Sequence, residues 1–277
     1  MLGLSLGLSI EGQRAGGGAP DPFAALVATL GTGAAQLIAH PLEYGSMFQD
    51  RAGTVPVTES GQLVGHCLDA GPGGYHAEAI SDAARGIFRD VDGFRYIEYN
   101  GVNTGYQTPV LPAPGVDKAQ VFAGVRCETD TNRGWIAEIS IDASALIGAI
   151  WLTSPRDSGV ANAEFLSCGT INSTSKSART AAPSNFVFTG LGDISGDLAT
   201  LRIDGTQVAQ DTTDQGTGNY NPSGNHRLYY GARNGTSLFF EGRHYATLGP
   251  IVRFSAANAT TAQIEAAEAY YTARTDL

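Results

Sequence analysis

Basic residues are scarce in this chain. Lysine and arginine together number 17, against 27 acidic residues, for a formal net charge of −10. They form no cluster anywhere along the sequence. Nucleic-acid binding needs a basic footprint to neutralise phosphates, so that class of function is excluded. An anionic membrane surface repels the chain for the same reason.

Cysteine is nearly absent. Cys67, Cys127 and Cys168 are odd in number and far apart, which excludes both a disulfide framework and a zinc site. They are expected as buried or half-buried free thiols, as suits assembly in a reducing cytoplasm. Long apolar runs are missing too. The opening MLGLSLGLSI has no basic residue before Arg14, and glycine and serine interrupt it throughout. A signal peptide needs a basic start and an unbroken apolar stretch. A membrane span needs about 20 apolar residues. Neither fits, so no membrane insertion is expected, and release from a cell would follow lysis.

Catalytic signatures are equally thin. There is no H-E-x-x-H and no glycine-rich phosphate loop. Glu138 and Asp142 stand four apart in EISID. On a strand they are separated by ~13 Å, too far for the paired carboxylates of a glycosidase of this strand-borne kind. The expectation is a protein without catalytic residues.

What the chain has is glycine, 36 residues of it, and many turn formers among alternating apolar runs. Residues 1–10 alternate strictly, with Leu2, Leu4, Leu6, Leu8 and Ile10 on one side. Residues 11–22 read as a Gly/Pro linker. FAALVATL (23–30) reads as a short helix, and 31–92 as loop-rich. Strand runs follow at 94–101, 119–128, 133–141, 146–154, 163–171 and 185–192. In 198–210, Asp204-Gly205 sits between two alternating runs, as a two-residue hairpin turn requires. Further runs lie at 226–235, 237–248 and 250–256. Thr260 or Thr261 caps a closing helix over 262–274, with Ile264, Ala267 and Tyr271 on one face. The pattern predicts an all-β fold, a two-sheet sandwich or jelly roll with a short C-terminal helix. Residues 1–22 form an anchor strand and linker, and 23–277 the sandwich.

The hairpin LRIDGTQVA (201–209), LYYGAR (228–233), SLFFEGRHY (237–245) and TTAQIEAAEAY (260–270) occur in that order. In this they resemble the concanavalin A-like jelly rolls of the laminin-G type. A second segment, VGHCLDAGPGGYHAEAI (64–80), matches through Val64, Gly65, Asp69, Gly71, Gly74, His76 and Ala77. That sandwich hosts lectins, hydrolases and adhesive modules alike, so the resemblance speaks to fold more than function. The whole arrangement is also similar to structural proteins of tailed phages and gene transfer agents. That resemblance implies a spike, fibre or tail accessory protein on a particle surface. Such a protein touches host surface polysaccharide and is usually multimeric. Leu2, Leu4, Leu6, Leu8 and Ile10 would then dock to another particle subunit by strand addition. Pairing with the chain's own sandwich is the alternative.

Sugar binding needs an aromatic face for the ring and amides for the hydroxyls. Residues 214–235 supply Asn219, Tyr220, Asn221, Asn225, Tyr229 and Arg233, and 101–109 supply Tyr106 and Gln107. With Leu228 and Tyr230 facing the core, as the family pattern implies, Tyr229 faces out. Turn chemistry alone also accounts for the asparagines. Trp135 and Trp151 are expected in the core. No cofactor is required. Calcium, the usual metal of the superfamily, could use the acidic loops 128–132 and 192–197, which also read as plain surface turns. Asp69 and His76 read as turn-stabilising, and His244 as a hydrogen-bonded core residue. The expected function is polysaccharide binding by a particle component. A polysaccharide depolymerase and a non-binding connector or cement protein are the alternatives.

Overall fold

Alternation in the sequence becomes layering in the fold. The computed structural model describes residues 21–142 and 144–275. The docking residues Leu2, Leu4, Leu6, Leu8 and Ile10 lie outside them. In the strand Lys118–Cys127, Ala119, Val121, Ala123, Val125 and Cys127 enter the main core, while Phe122 joins a second cluster on the opposite face.

The first sheet has ten strands. Its path runs Thr206–Asp211, Leu198–Ile203, Ser184–Asp193, Lys118–Cys127, Glu241–Tyr245, Phe94–Asn100, Gly86–Val91 and Leu63–Val64. Ile251–Ser255 also pairs with Lys118–Cys127 and carries Ala34–Ile38 at its side. The second sheet has nine strands. Their order is Asn172–Ala178, Asn162–Cys168, Ile150–Thr153, Trp135–Ser140, Arg227–Tyr230, Tyr106–Gln107, Ala77–Ala79, His66–Cys67 and Met47–Phe48. The sheets close on a shared core that includes Ile97, Phe188, Ile139, Leu152, Phe165 and Tyr230. This is the expected two-sheet antiparallel sandwich. All three thiols are buried and free.

Asp204 and Gly205 both take positive φ, +49° and +78°, as the hairpin turn demands. The stretch 31–92, expected as loop, holds six strands, several only two residues long. A two-residue strand shows no period to read. Asn172–Ala178 escaped notice because its inward positions are serines, Ser173 and Ser175, and not apolar residues. The run 146–154 shortens to Ile150–Thr153, because Leu146–Ala149 forms a turn closed by Ala149 N–H on Leu146 O at 2.9 Å.

Helix α1 (Pro22–Gly31) starts on Asp21, whose carboxylate accepts from Phe23 N, with Pro22 at the first position. Helix α2 (Thr261–Thr272) starts on a capping box made by Thr260 and Gln263. Both lie on the outer face of the first sheet. Phe23, Leu26 and Leu30 of α1 and Ala267 and Tyr271 of α2 pack with Phe122, Val187 and Ile251.

Arg253 fastens this layer. It is 2% exposed and forms no ion pair among the described residues. Its guanidinium donates to Leu30 O at 2.8 Å and Thr32 O at 3.0 Å, just where α1 runs out of partners. It also donates to Gln120 Oε1 and Ser255 Oγ, at 2.6 and 2.7 Å. Gln263 adds donors to Thr29 O and Thr32 O at 3.0 and 3.1 Å. The first sheet's outer face is thereby covered, and the second sheet's outer face carries no helix among the described residues.

His244 is a core residue, between Tyr99 at 4.8 Å and Phe240 at 5.4 Å, but its Nε2 has no hydrogen-bond partner. Burial lowers His244 to about 3 and His226 to about 4, from 6.5. Below pH 6.5 the unfolded chain therefore binds protons that the folded chain refuses, and stability falls as pH falls. We expect a loss approaching ~1.4 kcal/mol per pH unit for each of these two histidines. Urea midpoints measured from about pH 7.5 down to about pH 5.5 test this. His244→Phe should remove one share of the slope, and a flat series would refute the assignment.

Candidate functional site

The second sheet's register assembles one long row of side chains on its outer face. Direct cross-strand partners share a face. Following the pairings gives Phe48, His66, Glu78, Gln107, Tyr229, Glu138, Trp151, Leu166 and Thr174. Leu228 and Tyr230, on either side of Tyr229, are core residues, as the family pattern implied.

A cleft of about 410 Å³ opens over the first part of this row. Arg51, His66, Gly74, His76, Glu78, Pro109, Val110 and Arg227 line it. Arg51 approaches Glu78 Oε2 at 3.4 Å, and Gln107 Nε2 donates to Glu78 Oε1 at 3.3 Å. Arg227 is braced by a 2.8 Å donation to Thr108 O. His66 meets Phe48 and His76 edge to face, with ring centroids 5.9 and 5.7 Å apart. Burial, then the neighbouring His76, holds His66 below its usual pKa, so at neutral pH it is an uncharged imidazole.

One wall is the loop between the strands His66–Cys67 and Ala77–Ala79, and Asp69 organises it. Its carboxylate accepts from Ala39 N, Gly71 N and Tyr75 N, each at 2.9 Å. Its own N–H donates to His76 Nδ1 at 3.0 Å, which leaves the His76 ring proton on Nε2. Gly71 is required here, since a Cβ would sit 2.0 Å from Leu37 O. Asp69 and His76 therefore stabilise the turn as the sequence suggested, and His76 lines the cleft besides.

The candidate sugar-binding residues do not converge. Tyr106 is fully buried, accepting from Gly86 N at 2.8 Å and donating to Val64 O at 2.9 Å. Tyr220 is also fully buried, with its hydroxyl 2.6 Å from Ser167 Oγ. Neither ring can stack on a ligand, because each hydroxyl is spent inside the sandwich. Asn221 is structural. Its Oδ1 accepts from Asn225 N and His226 N, and its Nδ2 donates to Leu111 O at 2.9 Å. Asn225 is exposed and bonded to Ser223, and Asn219 is half-buried in the same loop. Tyr229 does lie on the outer face, but the turn at Gly235 presses on its ring and leaves it 6% exposed. Arg233 stands farther along that face, over Trp135 and Trp151. Both tryptophans are buried, in a small outer cluster with Leu166 and Cys168 that is separate from the main core.

Sequence reasoning missed Arg51, Glu78, Arg227, Pro109 and Val110. The usable signal was the alternation of His66 and Glu78 with buried residues on very short strands. Glu138 is fully buried and raised by burial. It accepts from Ser140 Oγ and Asn234 N, which ties down the 231–235 turn. Asp142 is half-buried and accepts from Ser144 N and Ala145 N. The acidic loops do not fit calcium either. Asp130 is held by Arg179 at 2.6 Å and Asp193 by Lys118 at 2.6 Å, so a cation would have to displace a basic side chain.

No protein-family model matches the chain, and no curated protein matches it. Solved structures do. Domain 4 of the extracellular arabinanase AbnA from Geobacillus stearothermophilus, solved with arabinotriose, aligns at TM-score 0.52 and 14% identity, over 76% of this chain and 100% of that one. The binding domain of botulinum neurotoxin DC, solved with SialylT, aligns at TM-score 0.51 and 6% identity, over 88% of this chain and 52% of that one. A botulinum neurotoxin type C structure, from a toxin whose cell entry is described as dependent upon interaction with two ganglioside molecules, gives 0.50 and 7%, over 91% and 53%. The chain spans about half the length of those toxin structures. These likenesses establish the β-sandwich fold.

If Asp69 holds the cleft wall, Asp69→Ala should lower stability by ~3 kcal/mol, because three amides, two of them buried, lose a charged acceptor. Asp69→Asn keeps one accepting oxygen and should lose about half of that. Thermal unfolding of both variants measures it, and equal losses would remove the charge from this role.

Proposed function

We propose that the chain is a non-catalytic carbohydrate-binding module that holds a polysaccharide in the cleft between Arg51 and Arg227. The cleft itself carries this reading. It offers guanidinium and imidazole donors, one carboxylate acceptor, and Pro109 and Val110 as an apolar lip. A few placed polar groups beside apolar surface are what a hydroxyl-rich ligand requires. Glu78 is the single carboxylate among the lining residues, whereas glycoside hydrolysis ordinarily takes two. The arabinanase domain solved with arabinotriose and the toxin domain solved with SialylT support the same class of ligand for this sandwich.

The setting we propose is the surface of a virion or phage-like particle. There the chain serves as a homo-oligomeric head spike or fibre that binds host capsular polysaccharide. It would be assembled in the bacterial cytoplasm and released by lysis. The sequence's likeness to tailed-phage and gene-transfer-agent proteins supports this, as does the alternating Leu2–Ile10 segment suited to docking on another subunit.

Calorimetric titration of the full chain with a panel of bacterial capsular polysaccharides tests the binding, with polymer size measured afterwards. We expect binding without shortening, and about a tenfold loss, ~1.4 kcal/mol, in each of Arg51→Ala and Glu78→Gln. Shortened polymer would overturn the non-catalytic reading. A folded protein that binds no polysaccharide would overturn the reading as a whole.

A further inference from the structure

Beyond Tyr229, the same outer face changes character. Three loops meet at Trp135, from residues 128–134, 154–161 and 231–240. Each brings an arginine. The guanidinium carbons of Arg133, Arg233 and Arg156 lie 5.1, 5.3 and 6.0 Å from the centre of the Trp135 ring, and Arg233 also lies 6.0 Å from that of Trp151. Such a gathering of cations is out of keeping with a chain of net charge −10.

Nearby carboxylates are already engaged. Glu164 takes Arg156 Nε at 2.6 Å and Trp151 Nε1 at 3.0 Å. Asp157 holds Lys176. Glu138 is bound by the Asn234 amide and Ser140. Arg133 forms no ion pair with any described residue, and its Nε is buried without a hydrogen-bond partner. Trp135 Nε1 and Thr153 Oγ1, on directly paired residues beneath it, also have no partner. Burial, and then the charges of Arg156 and Arg233, make protonation of Arg133 harder than usual. Three half-exposed guanidiniums, pre-ordered on aromatic rings, of which Arg133 has no ion-pair partner among the described residues, attract an anion of planar, two-oxygen geometry.

We propose that Arg133, Arg156 and Arg233 form, around Trp135, a recognition site for the carboxylate of an acidic sugar residue. The inference rests on the glycan-binding reading and narrows its ligand to an acidic polysaccharide. Glu78 and Trp151 stand four strand spacings apart in one row, ~19 Å. A single polymer laid along the row touches both the cleft and the arginines. Its hydroxyls meet Glu78 and Arg51, and a carboxylate meets Arg133.

The test compares polygalacturonate with an uncharged galactan of matched length, titrated into the full chain and into Arg133→Gln. Arg133 lies half-exposed in the loop before the Trp135–Ser140 strand, so its replacement leaves the core intact. We expect the wild type to favour the acidic polymer at least tenfold, with a preference that shrinks as salt rises. Arg133→Gln should lose the preference and keep its galactan affinity, and Arg133→Lys should restore it only in part. Equal wild-type affinity for the two polymers, or an unchanged preference in Arg133→Gln, overturns the site while leaving the glycan-binding reading in place. A sulfated galactan that binds where polygalacturonate does not overturns the assignment to a carboxylate. Binding of neither uronate, sulfated nor neutral polymer counts against the glycan-binding reading itself.

Discussion

A buried guanidinium decides which side of this molecule is free. Arg253 sits under the end of α1 and donates to two of its last carbonyls, to Gln120 and to Ser255. It holds its charge at 2% exposure with no carboxylate partner among the described residues, so those four oxygens compensate its desolvation there. Without it, Leu30 O would face an apolar sheet without this donor, and Thr32 O would keep only Gln263. With it, α1 and α2 close the first sheet from outside, and Arg202 adds a pair with Glu268 on α2. The molecule has three layers, the helices and the two sheets. The cleft and the three arginines around Trp135 both lie on the face that no described helix covers.

On that side the sheet's register does the assembling. His66, Glu78, Gln107 and Tyr229 belong to four strands, three of them no longer than three residues. Strands this short contribute little cohesion alone, and they hold because each is flanked by pairing and pinned by loop contacts. The Asp69 carboxylate is the clearest pin, joining the cleft wall to Ala39 at the end of the Ala34–Ile38 strand. Tyr106 is another, its hydroxyl reaching Gly86 and Val64 of the opposite sheet. The hydroxyl that pins this part of the sheet is the one that withdraws Tyr106 from the sugar-binding candidates.

This explains how much could be read from the sequence. The alternation at 119–128, the Asp204-Gly205 hairpin, the Thr260 cap and the terminal helix are local signals, and each appears where the residues placed it. Tyr106, Tyr220 and Asn221 could not be judged that way. A tyrosine among glycines and asparagines looks like an exposed sugar platform, yet whether its hydroxyl finds a partner inside depends on Val64 or Ser167, far off in sequence. Glu78 and Arg51 carried no local mark, because their meeting is a product of strand pairing across a region with no readable period. Arg233 was singled out for a loop it does belong to, but its tryptophan partners were assigned to the interior, where only their burial, and not their position, agrees.

The described chain enters at Asp21, the cap of α1, and leaves at Thr275, which packs near Gly124 on the outer face of the first sheet. Both points belong to the helical layer. The polar row on the second sheet therefore faces away from both residues, with the full thickness of both sheets between.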